Sequence, residues 1–113
     1  MTRYEQGANL ERLIVNRCRG AGIFSLRSAG SKTIVDGVIY YRGIMFPFQA
    51  KKGGSKISVA EKNKIYDFMT FTHVPFLLIQ KPLRSAIKVT AMGGLETFKA
   101  LELEKILNKL VEK

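Results

Sequence analysis

Four residues, Glu11, Asp36, Gln49 and Lys51, combine the side-chain types that phosphodiester cleavage needs: two acids, an amide and an ammonium. That reaction uses a hard cation held by oxygens, which activates water and stabilises charge on phosphate. Asp36 would be the direct ligand. Gln49 would offer its amide oxygen and Ala50 its backbone carbonyl. Glu11 would bind directly or through water. Lys51 would orient the attacking water or steady the developing negative charge.

The elements around these residues must bring them together. Two runs rich in β-branched and aromatic residues, Thr33–Tyr41 and Ile44–Lys51, read as strands joined by Arg42-Gly43. A tight turn there sets Tyr40 opposite Met45, Val38 opposite Pro47 and Asp36 opposite Gln49, and directly opposed residues have Cβ atoms about 5 Å apart. Period-two alternation puts Lys51 on the same face as Gln49. A three-residue loop would slip the register by one and scatter the group, and Arg is not a favoured partner of Gly in the tightest turns. Glu11 lies on a separate helix. At about 100° per residue it falls within the apolar arc, between Cys18 and Val15. A carboxylate there needs a partner: a metal ion, a salt bridge or a place on the rim.

The remaining elements follow from periodicity and punctuation. The first helix is predicted from about Glu5 to Ala21, with Leu10, Leu13, Ile14, Cys18 and Ala21 at helical spacing, and a strand from about Ile23 to Arg27 follows it. Ser58-Val59-Ala60-Glu61 has capping-box spacing and opens a second helix to about Thr72, with Ile65, Phe68, Met69 and Thr72 on one face. Phe76–Gln80 and Ala86–Thr90 read as strands. A last helix covers about Phe98 to Val111, with Leu103, Ile106, Leu107 and Leu110 inward. The order is helix, three strands, helix, two strands, helix, a mixed α/β layer arrangement expected to form a single domain over 1–113.

Charge narrows the partner. Nineteen Lys and Arg against nine Asp and Glu give a net charge of +10, which favours a polyanion, nucleic acid before an anionic membrane. The single cysteine excludes a disulfide framework, no apolar run is long enough to span a bilayer, and an intracellular protein is expected. The glycine pairs form no phosphate-cradling motif, so no nucleotide cofactor is expected. One histidine, His73, supports neither a zinc site nor a Ser-His triad and reads as a helix cap.

Asp36 followed by Gln49-Ala50-Lys51 looks like the PD-(D/E)xK nuclease signature. The wider pattern resembles the archaeal-type Holliday junction resolvases, which also occur in viruses. It rests on Gly7-Ala8-Asn9-Leu10-Glu11-Arg12, Arg27-Ser28-Ala29-Gly30-Ser31, Val35-Asp36-Gly37-Val38-Ile39 and Phe48-Gln49-Ala50-Lys51, with Ile57-Ser58-Val59 leading into the second helix. The resemblance covers about residues 5–80. It implies a restriction-endonuclease-like fold with a central mixed five-stranded sheet flanked by helices. It further implies a homodimer, magnesium dependence with manganese able to substitute, and four-way DNA junctions as substrate, hence a place in DNA recombination and repair. Its setting would be cytoplasm, or host-cell cytoplasm for a virus. Ser28 and Ser31 would lie near the DNA backbone, with Arg12, Arg27, Lys32, Lys52 and Lys56 on phosphates. Lys62, Lys64 and Arg19 extend the basic rim.

Two positions depart from the pattern. Val35 stands where the family usually has Pro, and Gln49 where it usually has Glu. Gln keeps an acceptor oxygen but loses a negative charge, so metal affinity should fall. Two readings stay open: a working natural variant, or a nuclease-fold protein that binds structured nucleic acid without cutting it. Tyr40, Tyr41, Phe46 and Phe48 read as core or dimer contacts rather than base-stacking platforms, and Cys18 as core.

Overall fold

The computed structural model describes residues 3–28, 34–53, 57–82, 84–92 and 97–112, with backbone alone for 3–8 and 97. The elements run α1 (Arg3–Gly20), β1 (Phe24–Arg27), β2 (Gly37–Tyr41), β3 (Ile44–Lys52), α2 (Val59–Thr72), β4 (Phe76–Lys81), β5 (Lys88–Met92) and α3 (Thr97–Leu110). The expected order is present. The strands form one five-stranded sheet in the order β1-β2-β3-β4-β5. β3 and β4 pair in parallel and every other pair is antiparallel. The parallel pair needs a crossover, which α2 supplies.

Alternation along the strands divides the core in two. Ile39, Phe46, Phe48, Leu77, Ile79 and Val89 point to one face and pack against Leu10, Ile14, Val15 and Cys18 of α1 and Ala100, Leu103 and Leu107 of α3. Phe76 and Met92 point the other way and pack against Ile65, Phe68 and Met69 of α2, with Ile34, Val35 and Ile57. Burial pushes the Cys18 thiol up to about 11, so this cysteine is an inert core residue.

The hairpin register is as expected: Tyr40 pairs with Met45 and Val38 with Pro47. Arg42 (φ 51) and Gly43 (φ 80) both adopt left-handed backbone, the pattern of a type I′ turn. The Arg42 guanidinium donates to both oxygens of Glu102 at 3.1 and 3.2 Å, and Tyr41 donates its hydroxyl to Glu102. Phe46 and Phe48 are core, Tyr41 is half-buried, and Tyr40 is exposed against Phe24.

The expected boundaries need correction in several places. Regular pairing of β2 begins at Gly37, not near Thr33: Ile34–Asp36 runs outside the ladder, and Thr33 lies outside the described residues. β5 starts at Lys88 and runs to Met92, two residues later than expected at each end. Ile23 precedes β1 rather than opening it, and α1 starts at Arg3. Ala21 is exposed in the turn after α1, whereas Val15 is buried. The α2 boundary is as read: the Ser58 hydroxyl accepts from Glu61 N–H and the Glu61 carboxylate accepts from Ser58 N–H. His73 closes the helix in left-handed geometry, its N–H on the Met69 carbonyl.

Candidate active site

Asp36 is held from three sides. Its N–H donates to the Phe48 carbonyl at 2.8 Å, its carbonyl accepts from Ser28 N–H at 2.9 Å, and its carboxylate Oδ2 accepts from Ala50 N–H at 2.8 Å. The chain here is a linker between the end of β1 and the start of β2, yet the acid is placed by β3. The Asp36 carboxylate thus reaches past Gln49 to the backbone of Ala50. In a strand, a residue's N–H and C=O point to the same side, so the Ala50 carbonyl also faces the region beyond the end of β2. Gly37 permits this approach. A Cβ there would sit 2.5 Å from the Phe48 ring and 2.7 Å from the Leu26 carbonyl oxygen, so no larger residue fits without displacing backbone.

Glu11 comes to the same end of the sheet from α1. Its side chain is only 16 % exposed, and Oε1 accepts from Arg27 Nε at 3.3 Å. Burial raises the Glu11 carboxyl above its ordinary value, the nearby Asp36 charge raises it further, and Arg27 opposes both. A salt bridge is therefore one partner of this acid. The net upward shift shows that the arginine does not fully offset burial and Asp36. The Asp36 charge thus acts on Glu11 across the gap between α1 and the linker before β2.

Gln49 lies on the face opposite the α1/α3 core, is 9 % exposed, and its Oε1 is buried with no hydrogen-bond donor among the described residues. Leaving a buried acceptor unpartnered costs about 1–3 kcal/mol. A hard divalent cation is a chemically suitable partner for such an oxygen. Among the described residues, no three His, Cys, Asp or Glu side chains gather to hold a metal. The oxygens a cation could use here belong to Glu11, Asp36, the Gln49 amide and the Ala50 carbonyl.

Lys51 shares the Gln49 face, as alternation requires, and its ammonium lies 2.5 Å from Glu61 Oε2 on α2. In the sequence Ser58-x-x-Glu61 reads as a helix cap alone and gives no sign of this contact. The usable signal was the short connection from β3 to α2, which returns the first turn of the helix to the end of the strand. The Arg27–Glu11 pair was missed in the same way: β1 ends at Arg27 opposite Gly37, one residue from Asp36.

Of the expected phosphate-contacting residues, Arg12 is exposed and donates to Asn9 at 3.2 Å, Lys52 is exposed, and Arg27 and Ser28 are half-buried beside Glu11 and Asp36. Ser31, Lys32 and Lys56 lie outside the described residues. Lys62, Lys64 and Arg19 are exposed.

No protein-family model matches the chain, and no curated protein matches its sequence. Solved structures do match. A Holliday junction resolvase from the archaeal hyperthermophile Archaeoglobus fulgidus superposes with a TM-score of 0.59 at 20 % identity, over 74 % of this chain and 70 % of that one. The two chains share a fold. It is the restriction-endonuclease-like α/β fold, a mixed five-stranded sheet flanked by helices, as the sequence resemblance implies. No helix among the described residues is long and apolar enough to cross a membrane.

Proposed function

We propose that this chain is a structure-selective endodeoxyribonuclease that resolves four-way DNA junctions by magnesium-dependent hydrolysis of phosphodiesters. One observation carries the reading: the Asp36 carboxylate is held on the Ala50 N–H, next in sequence to Gln49 with its buried Oε1 that has no donor among the described residues, in a fold shared with a junction resolvase.

In this reading Asp36, Glu11, Gln49 and the Ala50 carbonyl hold the ion. When bound, it supplies Lewis-acid activation of water and charge stabilisation at phosphate. Asp36 is kept in place by the Ala50 N–H, so its carboxylate needs little reorganisation on binding. Lys51 offers its ammonium to the attacking water or to the phosphate oxygen on which charge develops. Arg27, next to Glu11, would contact the scissile backbone, with Ser28 beside it. Arg12 and Lys52 bind flanking phosphates, a role extended to Ser31, Lys32 and Lys56. The whole chain, 1–113, acts as one nuclease domain. Two copies would be needed for paired cuts on a junction of approximate two-fold symmetry, and exposed Phe24, Leu26 and Tyr40 on one sheet face suit such a seam. A DNA substrate sets the work inside a cell, the cytoplasm or that of a viral host.

Gln49 also supports a second reading, in which the fold binds structured DNA without cutting it, because the site has one charge fewer than three carboxylates would give. Incubation with a four-way junction and a linear duplex in magnesium separates the two. Symmetric paired nicks confined to the junction are expected. Tight junction binding with no nicks, unchanged by Gln49→Glu, would establish the second reading. Sedimentation of the free protein at twice the chain mass is expected, and a strictly monomeric boundary would remove the dimer.

A further inference from the structure

We propose that Glu61 is a positioning residue for Lys51, holding the lysine ammonium at the end of β3 from the first turn of α2. The inference rests on the nuclease reading above and deepens it by giving the lysine a fixed partner on another element.

The geometry divides the work of one carboxylate. Glu61 Oε1 accepts the Ser58 N–H at 3.2 Å, and the Glu61 N–H donates to the Ser58 hydroxyl at 3.1 Å. Those two bonds close the capping box. Oε2 takes no part in the cap and meets Lys51 Nζ at 2.5 Å. A helix cap needs an acceptor but no charge, since Gln serves at this position as well as Glu. The ion pair is therefore an additional use of the side chain. It is also not a loose surface contact: the Lys51 and Glu61 side chains are 26 % and 27 % exposed. Partial burial pushes the Glu61 carboxyl up, but Lys51 and the Ser58 N–H outweigh it and hold the group below its ordinary value.

Lysine has a flexible four-carbon stem whose rotamer freedom must be lost before its ammonium can act at one point. A carboxylate fixed at a helix terminus removes much of that freedom in advance. The ammonium has three donors, so a bond to Glu61 does not exhaust it, and water or a phosphate oxygen can take another. The arrangement links the order of α2 to the chemistry of β3.

The test is Glu61→Gln in the full chain, which keeps an acceptor for Ser58 and removes the charge that faces Lys51. Single-turnover cleavage of a four-way junction in magnesium should fall about tenfold, from the restored motion of one long side chain. Junction affinity without divalent ion should be equal or slightly tighter, since a negative charge near phosphate is lost. In nitrogen-15 spectra the Lys51 ammonium should be ordered in the wild type and mobile in the variant. Unchanged cleavage and an unchanged ammonium signal would overturn the positioning role and leave the nuclease reading standing. A loss of cleavage with the Lys51 ammonium as ordered in the variant as in the wild type would also overturn it, as the mark of a purely structural residue. A wild-type chain that never cuts would overturn both.

Discussion

At the residue scale, two substitutions separate chemistry from folding. Asp36→Asn keeps an oxygen that can accept the Ala50 N–H, so the linker should stay in place. Cleavage should fall by at least about 100-fold, the scale of losing one electrostatic group at a reacting centre. Junction binding, read by gel shift without divalent ion, should be intact or tighter, because phosphate repulsion is removed. Unfolding of the variant would show that Asp36 serves the fold. Gln49→Glu acts in the opposite sense. It adds a third carboxylate to a region where burial and the Asp36 charge already raise the Glu11 carboxyl. Without magnesium the melting temperature should fall, since a buried charge lacks a partner. With magnesium it should rise above the wild type, because a ligand that binds only the folded state stabilises it. Half-maximal cleavage should need less magnesium. A variant insensitive to the ion in both assays would argue that Gln49 faces no cation.

At the element scale, the site depends on how β2 begins and how α2 begins. Gly37 starts β2 against the Phe48 ring and the Leu26 carbonyl. Gly37→Ala should cost about 1–3 kcal/mol in chemical denaturation, as overpacking does in other cores. Cleavage should suffer more than stability alone explains, because the displaced backbone carries Asp36. A stable, fully active variant would show that Phe48 yields. α2 makes a pH prediction. The Glu61 carboxyl sits below its ordinary 4.5 in the folded chain, so the unfolded chain binds the proton more readily. Its contribution to stability is present above 4.5 and is lost as pH falls through the lower folded value. Melting temperature across the acid range should drop less steeply in Glu61→Gln than in the wild type. Parallel curves would leave Glu61 without a net electrostatic role in stability. At the far edge of the sheet, Asn108 donates to and accepts from the backbone of Val89, closing part of the open edge of β5.

At the scale of the whole molecule, net charge decides the affinity and the fold decides where it is spent. A chain of +10 that neutralises several phosphates should lose affinity linearly in a log–log plot against salt, with a slope of about −0.9 for each phosphate contacted. Binding that is flat between low and moderate salt would remove the basic rim from the mechanism. Replacing Arg12 or Lys52, both exposed, should reduce that slope by about one each while leaving cleavage of bound junction nearly unchanged.

Sequence alone determined whatever depends on short-range pattern. Helical spacing marked α1, α2 and α3, and Ser58-x-x-Glu61 marked the start of α2, because caps are local hydrogen bonds. The Arg42-Gly43 turn set the register of the hairpin, Tyr40 with Met45 and Val38 with Pro47. Composition set the charge. Tertiary structure alone decided the partners. No local rule tells that Glu11 meets Arg27, that Asp36 leaves the ladder to take the Ala50 N–H, or that Lys51 meets Glu61. Each of these contacts joins two elements, and its distance depends on how helices seat on a sheet. That seating is set by core side chains such as Phe48 and Ile65, which carry none of the proposed chemistry.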